Sequence, residues 1–143
     1  MIYKSNLAIG TNNITEEAPI VMGSNDYEMM ELFKKLNVSR PIALTLTCLV
    51  KRKGITSQKI EMLTRLRQPE VSIAMHYLLK NNWIEVSEEK KSNGKGRPTK
   101  LYSLRVPVNQ IINVIEEKIL AENILVLRNI EYLKKISDIE NIE

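Results

Sequence analysis

The run Leu66-Arg67-Gln68-Pro69-Glu70-Val71-Ser72-Ile73-Ala74-Met75-His76-Tyr77-Leu78-Leu79 leaves little freedom in local structure. Val71, Met75, Leu78 and Leu79 recur at i, i+4, i+7 and i+8, which is one apolar stripe of a helix. Gln68, Ser72 and His76 recur every four residues and so share a second, polar face. Pro69 suits the first turn, where its missing N–H is not needed. Asn81-Asn82 closes the run, and asparagine is the best substitute for glycine in a left-handed helix stop.

What flanks this helix narrows the fold. Upstream, a short helix is expected over 58–64 with Thr56 or Ser57 as its cap. Ile60 and Leu63 point inward, and Thr64-Arg65-Leu66-Arg67 forms the turn between the two helices. Downstream, residues 83–88 alternate, with Ile84 and Val86 facing in and Glu85 and Ser87 facing out. Trp83 packs at the helix–strand corner. Lys90-Lys91-Ser92-Asn93-Gly94-Lys95-Gly96-Arg97-Pro98-Thr99-Lys100 is a hairpin loop with five cations and two glycines. A returning strand covers 101–106, with Tyr102, Leu104 and Val106 inward. Helix, turn, helix, strand, basic loop and strand make a helix-turn-helix with a β-wing.

The remaining elements follow from period and punctuation. Residues 1–25 show no period and read as an N-terminal arm. A short helix over 26–36 carries Met29, Met30, Phe33 and Leu36 on one side, with Ser24, Asn25 or Asp26 as its cap. A second helix after Pro41 is largely apolar through Ile42, Leu44, Leu46, Leu49 and Val50, and is expected to be central and buried. Lys51, Arg52 and Lys53 fall in its last turn, where they either complement the helix dipole or face phosphates, and Gly54 stops it. After Pro107, residues 108–137 form one long helix of about 45 Å, and 138–143 fray. Ile112, Ile115, Ile119, Ile124, Leu127, Ile130 and Leu133 form a stripe too long for a small domain to cover, and a second copy of the chain is its expected cover. The expected fold is thus mainly α with a small β-wing, a winged helix-turn-helix over 26–106 followed by a C-terminal dimerisation helix over 107–143.

Charge is unevenly placed along the 143 residues. The net charge of +4 resolves into −2 for residues 1–38, +9 for 39–107 and −3 for 108–143. The cationic third is the helix-turn-helix and wing, the electrostatic footprint of polyanion binding. The single cysteine, Cys48, allows no intrachain disulfide and no thiolate cluster. No signal peptide and no 18-residue apolar run are visible, so a cytoplasmic location is expected.

Read together, these features predict binding to double-stranded promoter DNA. The expected contacts are Thr56, Ser57, Arg65, Arg67, Gln68, Pro69, Glu70, Ser72, Ile73 and His76 from the two helices, and Lys91, Lys95, Gly96, Arg97 and Lys100 from the wing. Arg67 is placed to grip phosphate at the helix N-terminus and Arg97 to enter a minor groove. No metal, cofactor or catalytic residue is expected: one His, one Cys and scattered carboxylates supply no catalytic set. A small-molecule effector is left open. The alternative is a winged-helix module that binds protein within a transcription or assembly complex; such a module has no need of a basic wing and turn.

Residues 56–106 resemble the winged-helix regulators of the ArsR and MarR kind. The resemblance rests on Leu66, Gln68, Pro69, Val71, Ser72 and Met75, on the corner Asn82-Trp83-Ile84, and on Gly96-Arg97-Pro98 with Tyr102 and Leu104. The layout is similar in particular to archaeal regulators of this group, among them activators of a motility operon. The resemblance implies a dimer acting at a promoter. Ile73 and Ala74 depart from it, standing where relatives often have His or Arg, which shifts expected readout toward thymine methyls and DNA shape. The paired cysteines of many ArsR-like metal sensors are absent.

Overall fold

The structure is a computed structural model and describes residues 21–90 and 96–142. Its elements in chain order are α1 (Ser24–Lys35), α2 (Arg40–Val50), α3 (Ser57–Thr64), α4 (Gln68–Lys80), β1 (Ile84–Glu89), β2 (Thr99–Leu104) and α5 (Val108–Ile142). The fold is a winged helix with a long C-terminal helix.

Helix α2 is the centre of the body. Ala43 through Leu49 are buried without interruption, because α1, α3, α4 and β2 all pack around it. Leu44, Leu46, Leu49, Ile60, Val71 and Leu78 are among the core side chains that solvent barely reaches. The hydroxyls of Thr45 and Thr47 are buried there too, with no hydrogen-bond partner among the described residues.

The helix ends obey local chemistry. At α1, Asn37 takes a left-handed φ of 68°. Its N–H donates to Lys34 O, and that of Val38 donates to Phe33 O, a six-to-one closure stapled by two apolar residues. Helix α4 ends the same way: Asn82 has φ 60°, its N–H donates to Leu79 O, and that of Trp83 donates to Leu78 O. The hydroxyl of Thr56 rather than Ser57 caps α3, accepting from Lys59 N–H at 3.1 Å.

Several expectations need correction. Of the arm expected over 1–25, Met22 lies in the core, Gly23 N–H donates to the Asp26 carboxylate at 2.9 Å and α1 begins at Ser24 rather than at Asp26; residues 1–20 lie outside the described residues. Helix α2 ends at Val50, before the cations. Lys51 Nζ instead lies 3.2 Å from Asp26 Oδ1. Arg52 is only 5% exposed. Its guanidinium donates to Cys48 O at 3.1 Å and to Val21 O at 3.3 Å, and approaches Asp26 at 4.0 Å. Arg52 therefore satisfies a carbonyl at the α2 C-terminus, as the dipole reading required, and ties down the segment before α1. Of the three cations, Lys51 and Lys53 are exposed.

The wing is an antiparallel pair with register from Ile84↔Leu104 to Glu89↔Thr99. β2 thus begins and ends two residues earlier than expected. Ile55 adds a bridge on the other side of β2, exchanging both backbone hydrogen bonds with Tyr102 at 2.8 and 3.0 Å. Gly54 precedes it at φ 66°, and its N–H donates to Ser103 Oγ at 2.7 Å. Val86, expected inward, is 40% exposed. The hairpin leaves the body after Ile84, so alternation persists without a core to receive the second inward residue.

Helix α5 is 35 residues long, about 52 Å, and runs through 138–142 rather than fraying there. Ile111 and Ile115 belong to the core, with Val108 and Ile119 at its edge. Of the stripe expected to face a partner, Ile115 is therefore taken by the chain's own body. Beyond Ile119 the described side chains of α5 are exposed. Ile124, Leu125, Val126 and Leu127 are consecutive, point in four directions, and are each more than half exposed. Residues 124–127 are apolar in all four directions, but from Arg128 on the charged side chains Arg128, Glu131, Lys134, Lys135 and Asp138 share one side of the helix and Ile130, Leu133 and Ile136 the other.

Candidate nucleic-acid interface

Two helices and a tight turn build the surface. The turn is held from inside: Thr64 Oγ1 donates to Ile60 O at 2.6 Å and accepts from Leu66 N–H at 3.3 Å. Leu66 is buried beneath it, so the helix α4 proper starts two residues after the run's first leucine. Arg65 occupies the left-handed region at φ 61°, which turns its side chain outward between the helices. Arg67 is the N-cap residue of α4, and its N–H donates to Glu70 Oε1 at 2.9 Å. Glu70 is thus engaged in capping, a role that also places its charge favourably at a helix N-terminus. Pro69 sits in the first turn as its chemistry demands.

Val71, Ala74, Met75 and Leu78 face the body. Leu79, expected with them, is partly exposed, because it lies at the margin of that face. At 100° per residue the direction opposite the buried set is occupied by Pro69, Ile73, His76 and Lys80. Ile73 is 67% exposed. Ala74, its neighbour, is fully buried and cannot touch a ligand.

Gln68, Ser72 and His76 do lie together, with Gln68 and Ser72 along an edge of α4 and His76 where that edge meets the outward face. With Ser57, Glu61 and Tyr102 they line a groove of about 260 Å³ floored by Val71 and Met75. On the opposite edge Tyr77 meets Trp83 in a T-shaped contact, ring centroids 6.0 Å apart, which fixes the helix–strand corner as expected.

Cations lie at the ends of the outward face, Lys80 on it at the last residue of α4. Arg65, Arg67, Lys59 and Lys80 are exposed. None of them has a carboxylate within ion-pair distance among the described residues. Lys59 and Lys80 were not singled out from sequence; their signal was position, one turn into α3 and at the last turn of α4. On the wing, Gly96, Arg97 and Lys100 are exposed. Gly96 takes φ 83°, open to glycine at no steric cost. Lys100 stands opposite Glu88 in the ladder, so its charge is partly offset, whereas Arg97 has no such neighbour in register. Lys91 and Lys95 lie outside the described residues.

Other chemistry is limited. Among the described residues no group of three or more His, Cys, Asp or Glu could hold a metal ion. Cys48 is a free buried thiol; burial pushes its pKa up to about 11, against a smaller opposing pull from Arg52. Among the described residues no helix is long and apolar enough to cross a membrane.

The sequence matches no family model and no curated protein. Among solved structures the chain is similar to one described as a possible transcriptional regulator from Methanosarcina mazei Go1, at 15% identity. The likeness covers 73% of this chain and 86% of that one with a TM-score of 0.53, which is a likeness of fold.

Proposed function

We propose that this chain is a transcription regulator that binds promoter DNA as a homodimer in the cytoplasm. The observation that carries the reading is α4: an exposed, largely uncharged helix face bordered at both ends by cations that have no ion pair among the described residues. A recognition helix needs this arrangement, with backbone-gripping cations at the margins and base-reading groups between them. The wing adds Arg97 as a further contact. Ser57, Gln68, Ser72 and His76 border the groove beside the same face. The likeness to a structure described as a possible transcriptional regulator agrees with this reading. The apolar distal half of α5 supplies the dimer contact, with Ile124, Leu127, Ile130 and Leu133 in it and Ile112 at its root. The resemblance to ArsR- and MarR-like archaeal regulators makes a motility operon one class of target.

Genome-wide mapping of bound DNA, followed by anisotropy titration of the recovered fragments, tests the proposal. Arg67→Ala and Arg97→Ala should each weaken binding to cognate and unrelated DNA alike. Each should flatten the plot of log affinity against log salt by about one unit. Melting temperatures should barely move, because exposed charges contribute little to stability. Recovery of no DNA, or affinity indifferent to salt, would move the assignment to a protein-binding winged helix.

A further inference from the structure

The outward face of α4 is chemically unusual for a surface that reads DNA. Scattered exposed apolar side chains need no explanation, but Ile73 is not scattered. It lies opposite the buried set at 67% exposure, between Pro69 one turn before it and His76 and Lys80 after it. From Gln68 to Leu79 the one charged side chain is Glu70, and its carboxylate is committed to the Arg67 N–H. From Pro69 to Leu79 the face therefore carries no Arg or Lys, and Lys80 enters it only at the last residue of the helix. Those are the side chains that pair bidentately with guanine O6 and N7, the commonest specific contact in a major groove. Nor does it carry a free carboxylate to accept from the cytosine amino group.

The major-groove edges of the four base pairs hold one apolar group, the C5-methyl of thymine. A branched aliphatic side chain at the outermost point of the helix matches that group and little else there. Gln68, at the helix start and exposed, is the side chain type that pairs with adenine N6 and N7. Two positions of α4, one at its edge and one on its outward face, thus favour A·T pairs by separate chemistry. We propose that Ile73 reads thymine through its C5-methyl, so that the half-site is chosen by methyl contact on A·T pairs rather than by hydrogen bonds to guanine. This rests on the DNA-binding reading of α4.

The test uses the full chain and two random duplex libraries, identical except that one carries deoxyuridine in place of thymidine. That exchange removes the methyl and leaves every base-pairing group. Selection from the thymine library should return an A·T-rich half-site. On that duplex, deoxyuridine at the contacted position should weaken binding about fourfold, the equivalent of one buried methyl group. Ile73→Ala should bind the thymine duplex at least fourfold more weakly and no longer distinguish it from the deoxyuridine duplex. Since Ile73 is exposed, its melting temperature should be unchanged, and the base exchange on the unaltered chain tests the same contact if it is not. Equal affinity for both duplexes, or a selected half-site centred on G·C pairs, overturns methyl readout while leaving DNA binding intact. No enrichment from either library overturns the DNA-binding reading together with this one.

Discussion

Helix α2 and residues 124–127 of α5 are the same kind of sequence in opposite settings. Both are apolar all round the helix over those turns. In α2 the residues from Ala43 to Leu49 are all buried by the chain itself. In α5 the four consecutive residues from Ile124 to Leu127 are all exposed. Apolar residues that face every direction belong in an interior. The difference teaches that α2 finds its interior among the described residues, whereas residues 124–127 of α5 find none there; the proposed homodimer would supply it.

The largest effect expected on this comparison comes from cutting the same side chain in both places. Leu46→Ala in α2 should cost about 2–5 kcal/mol of unfolding free energy, through lost burial and the cavity left behind. Leu127→Ala should cost nothing in the body's own stability but weaken association, read by light scattering against the 16.5 kDa protomer. If Leu127→Ala lowered stability as much at dilutions where the protein is monomeric, the two helices would not differ in the way described.

The next effect is electrostatic and confined to α2. The Cys48 thiol is raised from an ordinary value of 9.0 to about 11. A raised acid contributes stability that is complete below the unfolded value and is lost as pH rises toward the folded one. The body should therefore lose about 2 kcal/mol between pH 9 and pH 11 on this account. Cys48→Ala should cost some packing at neutral pH but flatten that alkaline decline. An identical slope in the variant would assign the decline to other groups.

The smallest expected effect is a gain. Thr45 and Thr47 bury hydroxyls with no partner among the described residues, and a buried polar group without a hydrogen bond is a cost. Thr45→Val, which keeps the shape, should stabilise by about 1 kcal/mol in chemical denaturation. A loss of stability would show that this hydroxyl is satisfied in solution.

Much of the fold is legible in the chain because its signals are local. Pro69 and the Asn81-Asn82 pair bound α4 by chemistry that needs no tertiary context. The glycines and cations of residues 90–100 mark a loop between two alternating runs. What escaped depends on contacts distant in sequence. The bridge from Ile55 to Tyr102 occupies the other edge of β2 at one residue, and no pattern around Ile55 announces it. Lys51 and Arg52 read as surface cations until Asp26, a whole helix away, is seen beside them. Val86 obeys the alternation that predicts burial, yet the hairpin has left the core by then. At the candidate interface, four-residue spacing grouped Gln68, Ser72 and His76 correctly but could not tell an edge from a centre. Only the direction of the buried set reveals that Ile73 faces outward.

The length of α5 has a consequence for how the protein behaves on dilution. Among the described residues its side chains after Ile119 stay exposed, and an isolated helix of that size is only marginally formed in water. In the proposed homodimer its order would be linked to association, and linked equilibria respond to mass action. Helix content should fall as the protein is diluted, while the signal of the winged body stays constant. Two unfolding transitions should separate, the first moving with protein concentration and the second indifferent to it. The number of copies in a cell then sets not only how many sites are filled but how much of each chain is folded.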